Sequence, residues 1–447
     1  MAATTHTSFE LNNLIPPAPL VNTWSRFIHQ FEPHEFTNWI DESESWKTTA
    51  YIGDWSALSN KLVVKGPDAI RFFQDISVNS FKNFQVGRAK HSVQCSAEGR
   101  VIAEGVLMRL SEDEVKFTGG PIFWAEYQFE KGNYDATLTQ RGTADFIIQI
   151  QGPKSLEILE RASGESHRDY AFMNVRETTV AGHKVWSLRQ GMSGELGFEL
   201  HGDGAHALEV HEALLAAGEE FGVRRLGART KMVNHVEACF PTPLVDYMPA
   251  MGDDMEFVQF MMERHPELAY LAQFSSTGSH VPADPTGLYR TPVELGWGKV
   301  ISFDHDFIGR TALEAAVANQ KRTMKTLVWN KEDVQDVYAS LFRDETPYEF
   351  MEMPRALFDS FAIDSVLVDG KEVGVSTSRC YSYHFRDVIS LCSIDLPFAE
   401  VGQQVEVLWG SPGRPQKAIH ATVAPAPYKR DNRRVDVTAL PATHVPA

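Results

Sequence analysis

The chain has 447 residues and a formal net charge of −17, and 43% of its residues are hydrophobic and 23% charged, an ordinary globular composition with about three domains' worth of core. The acidic balance argues against a nucleic acid partner, because a polyanion needs a clustered basic surface and the densest basic group, KRDNRR at 429–434, lies near the tail. No apolar run approaches the roughly 18 residues of a membrane span, the N-terminus lacks the layout of a signal peptide, and four scattered cysteines form no CxxC pair. We therefore expect a cytoplasmic protein with a small-molecule partner, no nucleic acid and no membrane.

The first part of the chain contains a unit that returns further along. Residues 1–48 show no sustained period and predict an irregular lead-in. LVVKG (62–66) then predicts a strand, and PDAIRFFQDI (67–76) a helix with proline at its first position, where a missing N–H costs nothing. FIIQIQG (146–152) and PKSLEILERA (153–162) repeat this order, which predicts a pseudo-repeat rather than one continuous sheet.

Alternating and helical periods predict the elements that follow each unit. The predicted strands are 101–110, 114–119, the run 177–191 and 196–202, and the predicted helices are 205–221, about 224–239 and TALEAAVANQKR (311–322). The stretch 264–292 is rich in Pro, Ser and Gly and predicts a loop.

The last hundred residues predict a small antiparallel barrel, because short apolar runs alternate there with turn signals. The runs are SVLVDG, EVGVSTS, VISLCSI, QQVEVLW and AIHATVAP. We therefore predict an α+β fold with a C-terminal antiparallel β-barrel module. The predicted lobes are 1–145, 146–323 and 324–447.

The stretch GMSGELGFEL (191–200) has neither the spacing of a nucleophile elbow nor that of a phosphate or dinucleotide loop. It predicts a glycine-bent hairpin. Glu199 is either a solvated strand carboxylate or an acceptor of paired hydrogen bonds from an amino-pyrimidine ring, which the glycines would allow to approach.

Several motifs, in order, resemble the folate-dependent aminomethyltransferase family of the glycine-cleavage T-protein type. They are the strand–Gly–Pro–helix at 64–76, GMSGELGFEL, DHDFIGRTALE (304–314) and the barrel runs ending in VLWG. SNKLVVKGPDAIRFFQDISVNSFKNFQVGRAKHSVQC (59–95) and VLWG…PAPY are similar to the tetrahydrofolate-dependent aromatic O-demethylases, typified by vanillate O-demethylase, and to enzymes that open sesamin-type methylenedioxy rings. The resemblance covers about residues 35–430 and implies a three-lobed aminomethyltransferase-like fold with tetrahydrofolate in a central channel.

The resemblance also implies a set of cofactor-binding residues. A glutamate matching Glu199 holds the pterin in that family, and Gln151 and Gln149 match residues that line the same pocket. Phe240 falls where an aromatic residue flanks the folate. The glycine stretch is then a pterin-binding hairpin of the second lobe, and the substrate pocket lies in the first.

Departures from the family pattern concern the substrate. The Asp-Asp pair of glycine-cleavage proteins is replaced by Ala103 and Glu104, which argues against an aminomethyl-lipoyl substrate. The arginine that clamps the aromatic carboxylate in the vanillate enzymes is replaced by Gly120, and glycine cannot supply a bidentate contact. These changes imply a neutral, bulkier aryl ether.

No metal or cobalamin motif occurs, so the resemblance implies that the folate N5 itself accepts the carbon. The protein would then align the reacting atoms and assist the departing phenolate. Tyrosines near the methoxy group fall at His29 and Lys231, our candidate general acids; the alternatives are a surface histidine and a solvated helix lysine. A glutamine of that family falls at Trp55, and Trp55 and Phe123 are expected either to stack on the substrate or to belong to the core.

We expect no metal site in the trio Asp304-His305-Asp306, because alternation on a strand would put His305 opposite the two aspartates. The leading hypothesis is transfer of one carbon from an aromatic ether to tetrahydrofolate. A methoxy substrate would leave a phenol and 5-methyltetrahydrofolate, whereas a methylenedioxy ring would leave a catechol and 5,10-methylenetetrahydrofolate. The alternative is a non-catalytic folate-binding or sensor protein. The particular ether and the oligomeric state stay open at this level.

Overall fold

A computed structural model describes residues 24–27, 30–57, 59–266, 276–353 and 361–440. These residues form two open sheets covered by helices, followed by a closed barrel, which is the predicted α+β class. No helix among them combines the length and the apolar character that crossing a bilayer requires.

The first sheet comes from the part of the chain before residue 141. The elements there are β1 Trp24–Phe27, β2 Gln30–Pro33, α1 Trp39–Thr48, β3 Tyr51–Asp54, β4 Asn60–Lys65, α2 Ala69–Ile76, β5 Ala89–Cys95, β6 Val101–Arg109, β7 Glu114–Gly120, α3 Phe123–Lys131 and β8 Thr137–Gln140. The sheet has the order β5-β6-β7-β4-β8, and every neighbouring pair is antiparallel. Helix α2 covers one face, where the rings of Phe73 and Phe117 lie 6.0 Å apart.

The second sheet has β9 near its middle. The elements that follow are β9 Asp145–Gln151, α4 Ser155–Ser163, β10 Val175–Val180, β11 His183–Leu188, β12 Gly197–Asp203, α5 Ala207–Gly218, β13 Arg224–Arg225, α6 Ala228–Ala238 and α7 Met255–Arg264. The order is β10-β11-β12-β9-β3-β13, with only the β3–β13 pair parallel. All residues of β9 are buried, because α4 and α5 cover one of its faces.

The C-terminal part forms the barrel. Its elements are β14 Ser276–Thr277, α8 Arg310–Ala318, β15 Arg322–Trp329, α9 Lys331–Ser340, β16 Phe361–Ala362, β17 Asp364–Val368, β18 Lys371–Ser382, β19 Asp387–Asp395, β20 Gln404–Trp409 and β21 Lys417–Ala424. Six strands close in the order β15-β19-β18-β17-β20-β21. A barrel this narrow is filled by its own side chains, and Leu327, Val366, Val407 and Ile419 lie in its buried core.

Both sheets and the barrel pack on one set of buried side chains, which we call the central cluster. It includes Tyr51, Trp55, Val93, Cys95, Ile147, Val233, Tyr247, Cys380 and Leu391. Since a strand alternates its side chains between faces, the odd-numbered residues of β9 and β12 point toward this cluster while the even-numbered ones pack under α4 and α5. Positions 149, 151 and 199 are therefore on the central side.

The predicted pseudo-repeat is present, with one correction to its helices. Gly66 and Gly152 follow β4 and β9 with φ of 144° and 129°, and a Cβ on either would lie within 2.6 Å of neighbouring backbone, so only glycine fits. The prediction that proline takes the first helical position is wrong. The residues after each glycine close a turn, and the helices begin at Ala69 and Ser155.

Other boundaries differ where tertiary pairing overrides local pattern. The run 177–191 is a hairpin of β10 and β11, and the predicted helix from 224 begins only at Ala228 because Arg224 and Arg225 pair with β3. The trio at 304–306 is not a strand, so the alternation argument was wrong; His305 Nε2 instead lies 3.0 Å from the Gln74 carbonyl oxygen. The lobe boundaries stay a prediction, and β3, from before residue 145, lies in the second sheet.

Candidate active site

A ladder of amide and carboxylate side chains crosses β9 and β12 on the central side. Glu199 is the register partner of Gln149, and Gly197 is the partner of Gln151. Gln149 Nε2 donates to Glu199 Oε1 at 2.7 Å, and Gln151 Nε2 donates to Gln149 Oε1 at 3.0 Å. Glu199 is only 4% exposed, so the alternative of a solvated strand carboxylate is wrong.

Residues from outside the two strands hold this ladder. Gln190 donates a second hydrogen bond to Glu199 Oε1, and the Tyr51 hydroxyl donates to Gln149 Oε1 at 3.2 Å. The backbone N–H of Ser193 donates to Gln151 Oε1 at 2.8 Å, which ties the glycine-rich loop to β9. The ladder is therefore fixed by packing and by hydrogen bonds before any ligand binds.

Several buried polar atoms beside the ladder lack a hydrogen-bond partner among the described residues. Ser193 Oγ and Asn234 Oδ1 are two of these. His201 is fully buried two residues after Glu199 on the same face. In the described part of the chain its nearest carboxylate is Glu199, whose Oε2 lies 3.4 Å from His201 Nε2, too poorly aligned for a good hydrogen bond. Burial lowers the pKa of His201. Unpaired buried polar atoms are costly, so this region offers donors and acceptors to a polar ligand.

Lys231 lies in α6 and is buried rather than solvated, at 1% exposure. Its ammonium group binds the Glu32 carboxylate, lies 3.2 Å from the Asp54 carbonyl oxygen and stands 4.5 Å from the centre of the Trp55 ring. Burial raises the pKa of Glu32. Trp55 in turn stacks on Tyr51, with ring centres 6.5 Å apart. Two predicted site residues, Lys231 and Trp55, thus lie together next to Tyr51, whose hydroxyl donates to Gln149.

Gly120 ends β7 and faces a carboxylate across the first sheet. Its register partner is Glu104, and directly opposed residues project to the same face of a sheet. Glu104 Oε2 lies 2.8 Å from His91 Nε2, and the His91 ring makes an edge contact with Trp297 at 4.9 Å. Trp297 packs on the central cluster. Where the family has its arginine, this chain therefore has no side chain, and the pair of His91 and Glu104 lies next to that position.

The remaining predicted residues are more scattered. Phe123 packs 4.3 Å from the His265 ring and against core residues of α3 and α7, as its core alternative requires. Phe240 follows α6 and is partly buried, with the Arg433 guanidinium 5.2 Å from its ring centre. His29 lies outside the described residues. The Cys95 thiol is fully buried, which raises its pKa and disfavours a nucleophilic thiolate.

Sequence reasoning missed Gln190, Tyr51 and Asn234. Tyr51 and Asn234 lie far from the ladder along the chain, and only the pairing of β3 with β9 brings the tyrosine to Gln149. Gln190 directly precedes the glycine-rich stretch, so a polar residue at the end of an alternating run was the one local signal for it.

Comparison with known proteins identifies the family of the chain. Residues 20–253 match the family described as the GCVT N-terminal domain. The chain is 35% identical over 429 residues to sesamin methylene transferase of Sinomonas sp. strain No.22, covering 92% of this chain and 94% of the relative. It is 37% identical over 419 residues to syringate O-demethylase of Sphingobium sp. SYK-6, covering 89% of each.

Among solved structures, the glycine cleavage system aminomethyltransferase T of Bartonella henselae has a TM-score of 0.68 at 16% identity, covering 92% of this chain and 95% of that chain. That likeness confirms the predicted three-lobed fold. The chain belongs to the aminomethyltransferase family of the glycine-cleavage T-protein type, as its motifs indicated. Members of this family in general depend on folate.

Proposed function

We propose that the protein is a tetrahydrofolate-dependent one-carbon transferase that removes a methyl or methylene carbon from a neutral aromatic ether, leaving a phenol or a catechol. The observation that carries this proposal is the buried Glu199 carboxylate in its ladder of glutamines, on the side where all three parts of the chain meet. The names of the relatives at 35% and 37% identity support the reaction class.

The side chains around Glu199 fit a pterin. An amino-pyrimidine edge presents adjacent N–H donors, which a carboxylate accepts well, and its carbonyl and ring nitrogens need further partners. Gln149 and Gln151 provide amide groups, and Ser193 Oγ and Asn234 Oδ1 are buried with no partner in the part of the chain that the structure describes. Glu199, Gln149 and Gln151 would hold the cofactor, and Phe240 would flank it. When bound, tetrahydrofolate supplies the nitrogen that accepts the carbon.

The chain's own residues would orient the ether and assist its leaving oxygen. Trp55 and Tyr51 form an aromatic wall against the ladder, which suits a flat aromatic substrate. The Lys231 ammonium lies at that wall and is a cation that can stabilise negative charge developing on a phenolate oxygen. His29 stays a second candidate for protonating that oxygen.

The charge around Gly120 favours a neutral substrate. An aromatic carboxylate placed where the family's arginine would bind it meets the Glu104 carboxylate on the same face. Like charges in a partly desolvated pocket repel, and no cation on position 120 offsets the repulsion. A neutral ether avoids this cost.

Mass spectrometry of the folate pool tests the proposal. The protein is incubated anaerobically with tetrahydrofolate and four classes of ether, namely methoxy and methylenedioxy aromatics, each acidic and neutral. We expect turnover of neutral compounds, with 5-methyltetrahydrofolate from a methoxy substrate or 5,10-methylenetetrahydrofolate from a methylenedioxy ring. Folate that binds but stays unchanged across the panel would favour the sensor alternative, and turnover restricted to carboxylates would overturn the neutral-substrate assignment.

A further inference from the structure

Two histidines and a glutamate meet at the end of the second sheet that is distant from Glu199. His183 begins β11, His206 ends a single-turn 3₁₀-helix, and Glu209 lies in the first turn of α5. The two imidazole rings stack with centres 3.8 Å apart and planes 10° apart. His183 Nε2 and His206 Nδ1 lie 2.8 Å and 3.3 Å from the same atom, Glu209 Oε2.

We propose that His183, His206 and Glu209 bind a divalent transition-metal ion of the zinc class. The ligand atoms of the three residues all lie within 4.8 Å of one another. In a tetrahedral zinc site with bonds of about 2.0–2.2 Å, ligand atoms are about 3.3–3.6 Å apart. Rotation of the two imidazole rings out of their stack would bring the ligand atoms to these separations.

The ligand types also select this class of ion. Imidazole nitrogens suit zinc, copper, nickel and iron, whereas magnesium and calcium prefer oxygen ligands only. Two imidazoles and one carboxylate leave a fourth position, which solvent can fill because all three side chains are partly exposed.

The backbone holds the ligands in place without the ion. The turn before His183 has both central residues at positive φ, Ala181 at 53° and Gly182 at 80°, as in a tight hairpin turn. The Asp203 side chain accepts a hydrogen bond from the Ala205 N–H at 2.9 Å and fixes the 3₁₀-helix that carries His206. A bound ion would join the β10–β11 hairpin to the start of α5.

The metal cluster is separate from the proposed folate site. Leu188 is the register partner of Glu199, and His183 lies five residues before Leu188 on the same strand, which is about 17 Å along an extended chain. Substitutions at the cluster are therefore expected to leave the one-carbon reaction unchanged.

Titration of the protein with Zn²⁺ tests this proposal. The full chain, without a histidine tag and after treatment with EDTA and dialysis, is titrated with zinc chloride by calorimetry, and with Co²⁺ to record the absorption of a four-coordinate site. We expect one saturable Zn²⁺ per chain and a higher Tm with the ion, since a ligand that binds only the folded state stabilises it. Binding should weaken as the pH falls, because imidazole ligands must be neutral.

Three variants locate the site. His183→Ala and His206→Ala should each weaken Zn²⁺ binding by at least roughly tenfold, since even loss of a group that only orients a ligand costs about 10–100-fold. The control is His420→Ala, which removes an exposed histidine that also contacts a carboxylate, Asp333, and it should bind Zn²⁺ like the unsubstituted chain. Tm in EDTA shows that each variant folds. No saturable binding, or equal binding by both cluster variants and the unsubstituted chain, would overturn the proposal.

Discussion

Among the described residues, the buried Glu199 carboxylate accepts its hydrogen bonds from neutral amides, those of Gln149 and Gln190, and His201 Nε2 lies 3.4 Å from it. Such a carboxylate carries a desolvation cost that glutamine donors offset only in part. Binding a ligand with paired N–H donors would supply the missing partners. This environment indicates that Glu199 serves ligand recognition rather than the stability of the fold.

Replacing Glu199 by glutamine should weaken tetrahydrofolate binding by about 10–100-fold, because a hydrogen bond to a charged acceptor contributes about 1.5–3 kcal/mol. Calorimetric titration with tetrahydrofolate under anaerobic conditions measures the change. The control is Glu177→Gln, on β10 of the same sheet, where the carboxylate is exposed and pairs with Lys184. Equal affinity of the Glu199→Gln variant and the unsubstituted chain would remove the pterin assignment.

Gly120 and Glu104 should determine together whether a carboxylate substrate is accepted. Among the residues that the structure describes, a Cβ on Gly120 would approach only Asn60 Nδ2, at 3.6 Å, so the first carbon of an arginine side chain fits there. Its guanidinium would then pair with Glu104 on the neighbouring strand. We therefore expect Gly120→Arg alone to gain little activity on vanillate or syringate.

The double variant Gly120→Arg, Glu104→Gln frees the guanidinium and should raise kcat/KM for those carboxylates by roughly tenfold or more over the single variant. Initial rates of phenol release give the comparison, with Glu104→Gln alone as the control. If the single variant gained as much as the double one, Glu104 would not oppose carboxylate binding.

Lys231 and Glu32 form a buried pair whose two roles, stability and catalysis, can be separated. Lys231→Met leaves Glu32 buried without its cation and should cost about 3–5 kcal/mol of unfolding free energy. Adding Glu32→Gln should recover most of that stability, as urea denaturation would show. If Lys231 assists the leaving oxygen, the stable double variant should still lose about 10²–10⁴ in kcat. Full kcat in that variant would assign Lys231 to structure alone.

At the scale of elements, the periodic sequence pattern predicted the helices and strands that local sequence determines. The strands and helices of both repeats have strong periods, and the structure has them within a few residues. Arg224 and Arg225 became a strand only because β3 lies beside them, and α9 was not predicted at all. Likewise, Glu199 and the two glutamines followed from a family resemblance, whereas Tyr51 and Asn234 reach them through long-range packing that no local spacing encodes.

The pairing of β12 with β9 brings Gly197 so close to Gln151 that any side chain at position 197 would disturb the site. A Cβ on Gly197 would lie 2.6 Å from Gln151 Cγ and 3.0 Å from the Gln190 carbonyl oxygen. Gly197→Ala should therefore displace Gln151, weaken folate binding by about tenfold and cost about 1–3 kcal/mol of stability.

Gly164→Ala is the matched control, because Gly164 ends α4 at a φ of 70° and no atom of the described residues lies within 4 Å of a Cβ there. It should cost about 1 kcal/mol through backbone strain and leave folate affinity unchanged. Calorimetry and urea denaturation on both variants separate the two effects. Equal folate affinity in both variants would show that Gln151 need not be held in its present position.

At the scale of the molecule, the central cluster makes the two sheets and the barrel depend on one another. Residues from all three parts pack in it, so a site on its surface is completed only when the whole chain is folded. Composition and charge predicted a globular protein, but they contain nothing about which faces of the elements meet. That information lies in the register of β9, β12 and β3.

Buried neutral histidines should make the stability of the whole fold fall in acid. Burial, with a nearby cation in each case, lowers the pKa of His167, His211 and His235 from 6.5 to about 4. Between these two values the unfolded chain binds protons that the folded chain does not, so the free energy of unfolding decreases as the pH falls from about 6.5 to about 4 and is unaffected by these groups above that window. Each histidine contributes up to about 3 kcal/mol to the loss.

His211 provides the test, because it lies in α5, away from the folate ladder, beside the cation of Arg225. Glutamine stays neutral at every pH, so His211→Gln should reduce the slope of unfolding free energy against pH by up to about 1.4 kcal/mol per pH unit between pH 5 and 6. Urea denaturation at pH 5, 5.5, 6 and 7.5 measures that slope, and the values at pH 7.5 report the cost of the substitution itself. Parallel slopes for the variant and the unsubstituted chain would mean that folding does not lower the pKa of His211.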